Sequence, residues 1–389
     1  MGIALKDMAN GMYRILGEGA FEYLAKAQAQ EREGKKVLHF EIGQPDFPTP
    51  QHIKDSAFDS IKNNFTGYVA ATGILELKQA IQDEIEQTRG FRPSEKQILV
   101  LPGAKPGIFF TMLGLVNPGD EVIYPDPGFP TYGSVVKYLD AGDIPIQLKE
   151  ENEFRLNPND IEERITEKTK LIILNSPQNP TGSVMTKDEI EKVAELAEQN
   201  NIYILSDEIY SKMLYEASFH SAAVRDESKE RTIILDGFSK SYAMTGWRLG
   251  YVVGPEEVIK RMGTLMINAL SCTTSFVQKA GITALKGTQE PLKRMMEAFL
   301  ERRNAIVEGL NSIPNFSCLY PQGAFYSFPN IKKTGLTSRE MADHILFNAG
   351  VCCLPGSSFG KGGEGYLRFS YATSVETIQK AIQQIKDSL

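Results

Sequence analysis

The sequence predicts an α/β fold: a mostly parallel seven-stranded sheet sandwiched by helices, with a smaller α+β domain. Three observations carry that prediction. Seven short β-branched runs, at 98–101, 121–124, 145–148, 171–174, 202–205, 232–235 and 250–253, are apolar at nearly every position. Stretches with helical signals lie between them, such as 106–116 and 187–199. Strands buried on both faces and joined through helices form parallel sheets covered on both sides. Beyond about residue 290 the alternation stops, and helical stretches near 292–312 and 338–348 mix with strand candidates at 325–328 and 365–369.

Each element has a local reason. The helix over 187–199 is opened by Thr186 with Glu189 three residues on, the spacing of a capping box. Pro106 suits the first turn of a helix that follows the strand ending at Leu101. No helix-length crossover separates the last two runs of the sheet, so one strand there is expected to run antiparallel. Residues 1–46 carry no strand repeat and are expected to pack on the C-terminal part. The domains are therefore 47–289, and 1–46 together with 290–389.

Composition excludes several classes. The chain has 389 residues, 42% hydrophobic and 23% charged, with a net charge of −7 and a pI near 5.4. That balance argues against a nucleic acid or an anionic membrane as partner. No apolar stretch reaches membrane-spanning length, and residues 1–6 contain no signal-peptide core. The four cysteines form no CxxC pair and the four histidines are scattered, so no metal site or disulfide framework is expected. Buried thiols in a reducing cytoplasmic setting are the default.

The chemistry is concentrated in turns after buried strands, where open α/β sheets place their ligands. Lys240 and Arg248 follow the 232–235 run, in Ser239-Lys240 and Trp247-Arg248-Leu249-Gly250. A lysine can form a Schiff base and an arginine can grip a phosphate. Asp207 ends another run; a carboxylate there needs a cation or several donors to stay ionised, or serves as a helix N-cap. Tyr210 follows three residues later, at the core edge or within reach of a ligand. Asn179 lies in Asn175-Ser176-Pro177-Gln178-Asn179-Pro180-Thr181-Gly182, a turn whose amide could face a ligand. Gly103-Ala104-Lys105 joins a strand to a helix and presents N–H groups suited to an anion. Phe129, central in Pro125 to Tyr132, stacks on a flat ring or packs beneath its proline turn. Arg368 stands in an apolar strand pattern and calls for a carboxylate, from a substrate or from the protein. The run Gly360-Lys361-Gly362-Gly363-Glu364-Gly365 matches GxGxxG but precedes a strand, so it reads as a flexible loop.

Together these residues resemble the class I/II aminotransferases of the pyridoxal-phosphate fold-type I superfamily, and most of all the aspartate/aromatic aminotransferase-like subgroup. The resemblance runs from Gly43-Gln44-Pro45 to Arg368. It implies pyridoxal 5'-phosphate as cofactor and ping-pong transfer of an amino group from an L-amino acid to a 2-oxo acid. By the same likeness Lys240 is the Schiff-base lysine, while Arg248 and Ser239 hold the phosphate. Gly103, Ala104 and Lys105 form the phosphate turn. Phe129 stacks on the ring, Asn179 and Tyr210 hold its O3′, and Asp207 pairs with its nitrogen. Gly43 and Arg368, with Asn179, form the substrate clamp. Tyr68 resembles the tyrosine that reaches the neighbouring site of a homodimer. The same residues would also serve a lyase, cyclase or decarboxylase with this cofactor. In two places the sequence departs from the family. Gly237 stands where many relatives have a phosphate-binding serine, and no second arginine answers a distal substrate carboxylate. Phe21 is a candidate wall of the substrate pocket.

Overall fold

The computed structural model describes residues 8–226 and 230–389; the stretch 1–6, expected to contain no signal-peptide core, lies outside the described residues. At its centre is the seven-stranded sheet. Across the sheet the strands run Ile98–Leu101, Gly250–Val253, Thr232–Gly237, Tyr203–Asp207, Thr169–Asn175, Glu121–Asp126 and Gly142–Gln147. The strand Gly250–Val253 is antiparallel to both neighbours, and the five strands beyond it are mutually parallel. The expected antiparallel member is therefore the last run.

Alternation along the strands explains the two covered faces. Ile98 and Val100 join one cluster with side chains of the helices Gln51–Lys62, Leu75–Arg89 and Ser275–Lys286. Leu99 and Leu101 turn the other way, to the helices Lys105–Leu115, Thr131–Tyr138 and Glu256–Leu270. All four are fully buried, and full burial of such side chains is worth about 1.5–3 kcal/mol each. Pro145, which cannot donate to a ladder, is tolerated because Gly142–Gln147 is an edge strand. The helix Lys187–Gln199 opens on the expected capping box, with both reciprocal bonds present.

A further cluster gathers the C-terminal helices Glu290–Asn311, Ser338–Ala349 and Val375–Ser388 with Tyr23, Ala27 and Phe40 from the N-terminal segment. The strands Leu354–Pro355, Leu367–Ser370 and Tyr326–Ser327 make a small antiparallel sheet in that order. Leu38–His39 pairs in parallel with Val351–Cys352, tying the N-terminal segment to this part. The 360–365 run, expected to be a flexible loop, contains a tight turn at Lys361–Gly363 and packs on the end of the strand Glu121–Asp126, because its glycines allow backbone contacts that side chains would block. Among the described residues no helix is long and apolar enough to cross a membrane, and no cluster of His, Cys, Asp and Glu could hold a metal ion.

Candidate active site

The parallel strands Thr169–Asn175, Tyr203–Asp207 and Thr232–Gly237 end side by side, and Asn175 and Asp207 are direct register partners. Over these carboxyl ends lies a cavity of about 330 Å³. Its walls include Gly43, Ala104, Lys105, Phe129, Asn179, Asp207, Tyr210, Ser239, Lys240, Arg248 and Arg368. Two sequence candidates stand apart from that lining. Gly103 lies behind Arg248, and Tyr68 is 90% exposed.

Lys240 sits three residues past its strand, and its Nζ donates to the Gly43 carbonyl at 2.5 Å. The rings of Tyr210 and Phe325 lie 5.9 and 5.8 Å from that nitrogen. Burial, reinforced by the cations of Arg368, Lys105 and Arg248, pushes its ammonium down to about 7. A neutral amine is therefore available near neutral pH, which a surface lysine does not offer.

Asp207 is buried, and its Oδ2 accepts the Tyr132 hydroxyl at 2.6 Å while Oδ1 accepts the Ile209 N–H at 3.3 Å. Burial pushes its carboxyl up to about 6 despite both bonds, and the nearby charges of Asp236 and Glu208 add to the rise. A cation delivered to the cavity would relieve that penalty.

The two arginines have different surroundings. Arg248 has a positive φ of 55° and donates to the Thr245 carbonyl at 2.9 Å. A side chain at Gly103, where φ is 93°, would fall 2.1 Å from the Arg248 Nη2, so glycine lets the guanidinium lie against this turn. Arg368 is buried between the rings of Tyr326 and Phe359, at 4.6 and 4.8 Å. It donates to the Asn179 Oδ1 at 3.1 Å and the Glu41 carbonyl at 2.5 Å, and its Nε has no partner among the described residues. Among the described residues neither arginine forms an ion pair with a carboxylate; Arg248 is exposed, whereas Arg368 is buried, where an unpaired guanidinium is costly. Arg368 thus finds no structural carboxylate of its own.

Sequence reasoning missed several participants. Tyr132 is fully buried one helical turn after Phe129, and its ring meets Phe129 edge-on at 5.7 Å. Tyr326 bonds the Tyr210 hydroxyl at 2.7 Å and approaches Gly43 so closely that a Cβ there would lie 2.2 Å from its oxygen. Glu18, from the N-terminal segment, forms an ion pair with Lys105 on the cavity wall. Behind the site, Arg89 is buried between Glu208 and Asp236, at 3.0 and 2.7 Å. These two acids adjoin Asp207 and Gly237, so the arginine ties together the two strand ends that carry Asp207 and Lys240. The departure at Gly237 also has a packing reason. A Cβ there would meet backbone atoms of Gly250 and Leu249 at 3.0 and 3.1 Å.

Comparison with known proteins shows the family. The family model for aminotransferase class I and II matches residues 35–385. An aspartate aminotransferase of Sulfolobus acidocaldarius is 37% identical over 393 residues, covering 99% of this chain and 98% of its own. The structure of the Thermus thermophilus aspartate aminotransferase with maleate superposes with a TM-score of 0.95 at 31% identity, over 99% of this chain and 100% of that one. An aromatic aminotransferase structure from Pyrococcus horikoshii gives 0.88 at 37% identity, over 93% and 98%. The chain belongs to the class I and II aminotransferases, and is a pyridoxal-phosphate-dependent transaminase.

Proposed function

We propose that the cavity over Asn175, Asp207 and Gly237 is the transamination site and that Lys240 is its covalent anchor and proton carrier. The observation that carries this reading is convergence. A half-buried amine whose ammonium is pushed down to about 7, a buried carboxylate and two guanidiniums without carboxylate partners among the described residues face one cavity. That donor set fits pyridoxal phosphate. Arg248, Ser239 and the helix start at Gly103, Ala104 and Lys105 suit its phosphate. Asp207 suits its ring nitrogen, Asn179 and Tyr210 its O3′, Phe129 its ring face, and the Lys240 amine its aldehyde. When bound, the cofactor supplies a sink for the electron pair left at the amino acid's Cα.

The protein's own groups do the rest. Arg368, with Asn179 and the Gly43 backbone, orients the amino acid's α-carboxylate by paired N–H bonds. Lys240 Nζ removes the Cα proton and later returns it, a positioned acid–base step worth typically about 10²–10⁴-fold. Asp207, steadied by Tyr132, keeps negative charge beside the ring nitrogen. Water supplies the keto oxygen as the donor leaves as a 2-oxo acid with its amino group held back, and a second 2-oxo acid takes up that amino group by the reverse steps, releasing water.

Tyr68 supports a homodimer in which each subunit lends this exposed hydroxyl to its neighbour's phosphate. The shared cluster of Tyr23, Ala27 and Phe40 with the C-terminal helices supports a division into 47–289 and 1–46 with 290–389. Free thiols at Cys272, Cys318, Cys352 and Cys353 support a reducing, cytoplasmic setting.

The test is a half-reaction screen. Holoenzyme is mixed with each amino acid alone, and the cofactor absorbance and the 2-oxo product are recorded. Conversion of the cofactor with stoichiometric 2-oxo acid supports the reading. Continuous ammonia release without an acceptor would select a lyase instead.

A further inference from the structure

The glycine run 360–365, left without a role above, lies between the strand Leu354–Pro355 and the strand that carries Arg368. It is fastened to the main sheet at one residue. Asp126, the last residue of the strand Glu121–Asp126, is buried, and its Oδ1 accepts the Gly362 N–H at 2.9 Å. A Cβ at Gly360, where φ is 123°, would fall 2.0 Å from that same oxygen, and one at Gly362 would fall 2.6 Å from the Asp126 carbonyl. The loop can therefore approach the carboxylate only because it is glycine. Two residues past Asp126, the Gly128 N–H donates to the Phe359 carbonyl at 2.8 Å. Phe359 in turn lies 4.8 Å below the Arg368 guanidinium. The chain of contacts runs from Asp126 through the glycine turns and Phe359 to Arg368. Phe129, on the cavity wall, lies three residues from Asp126.

We propose that Asp126 is a positioning residue for the substrate's α-carboxylate. By latching the glycine turns to the end of the main sheet, it fixes Phe359 beneath Arg368 and so aims that guanidinium into the cavity. Arg368 has no ion pair of its own; beside its bonds to Asn179 and the Glu41 carbonyl and the Tyr326 ring, the Phe359 ring and the backbone that carries it help to hold its direction. This proposal rests on the reading of Arg368 as the carboxylate clamp.

The test measures kcat and KM of the holoenzyme with L-aspartate, L-phenylalanine and L-alanine as donors and 2-oxoglutarate as acceptor. Asp126→Ala should raise KM for all three donors together, by about tenfold for one lost charge-assisted bond, with kcat little changed. Asp126→Asn keeps an oxygen for the Gly362 N–H and should restore most of the affinity. An Asp126→Ala enzyme whose thermal midpoint falls while every KM stays normal would overturn the proposal, since a purely structural role predicts that pattern. If Asp126→Ala does not fold, Phe359→Leu decides. It removes the ring and keeps the backbone bond, and a normal KM there overturns the proposal equally. Arg368→Gln separates the two ideas. A normal KM in that variant sinks the clamp itself, whereas a raised KM beside a normal Asp126→Ala sinks only the latch.

Discussion

The Tyr132 hydroxyl donates to the Asp207 Oδ2 at 2.6 Å, joining the first turn of the helix Thr131–Tyr138 to the end of the strand Tyr203–Asp207. Both side chains are buried. The bond opposes the burial that lifts the Asp207 carboxyl, and so favours the ionised form. Tyr132→Phe leaves Asp207 with the Ile209 N–H alone. A hydrogen bond to a charged group is worth about 1.5–3 kcal/mol, so cofactor affinity is expected to fall roughly tenfold to a hundredfold. Spectroscopic titration of apoenzyme with pyridoxal phosphate checks this, and an unchanged Kd would remove Tyr132 from the site.

The Lys240 ammonium is held down at about 7 by burial and neighbouring cations. Only the neutral amine attacks an aldehyde, and the fraction of neutral amine rises as pH passes upward through its pKa. The rate at which apoenzyme takes up the cofactor covalently is therefore expected to climb with a midpoint near pH 7 and to level off about one to two units above it. An ordinary lysine would keep climbing towards pH 10. Stopped-flow absorbance across pH 5.5–9.5 (about four units around the expected midpoint) distinguishes the two curves.

The ion pair of Glu18 with Lys105 bears on substrate choice. It places a carboxylate of the protein on the one lysine, apart from Lys240, that lines the cavity among the described residues. A dicarboxylic substrate must compete with Glu18 for that ammonium, whereas an aromatic side chain need not. Glu18→Ala is expected to raise kcat/KM for aspartate relative to phenylalanine by about tenfold, the scale of one partly buried charge pair. Paired kinetics on the two donors check the ratio, and an unmoved ratio would leave Glu18 without a part in selectivity.

Much of this was legible in the residues. The seven apolar runs became the seven strands, with ends displaced by one to three residues where β-branching alone does not mark the boundary; the run at 145–148, for example, is the strand Gly142–Gln147. Lys240, Asp207 and Asn179 could be singled out because each lies at or shortly after the end of a buried strand, and that position is a local signal. Tyr132 and Arg89 escaped because their meaning lies in pairing across 75, 119 and 147 residues of sequence. A tyrosine in a helix turn and an arginine at a helix end look ordinary until the fold brings carboxylates to them. The packing of the glycine run was hidden for a related reason. Glycine signals mobility when nothing packs on it, and close contact when something does, and here Asp126, Gly356 and Lys332 pack on it.

The whole account hangs on a covalent bond at one nitrogen, and chemical trapping reads it directly. Holoenzyme is reduced with borohydride, digested, and its peptides are mapped by mass spectrometry. A pyridoxyl group on Lys240, absent from a Lys240→Ala protein that still binds the cofactor through its phosphate contacts, is the predicted result. A pyridoxyl group on another lysine, or none in a protein that transaminates, would contradict it.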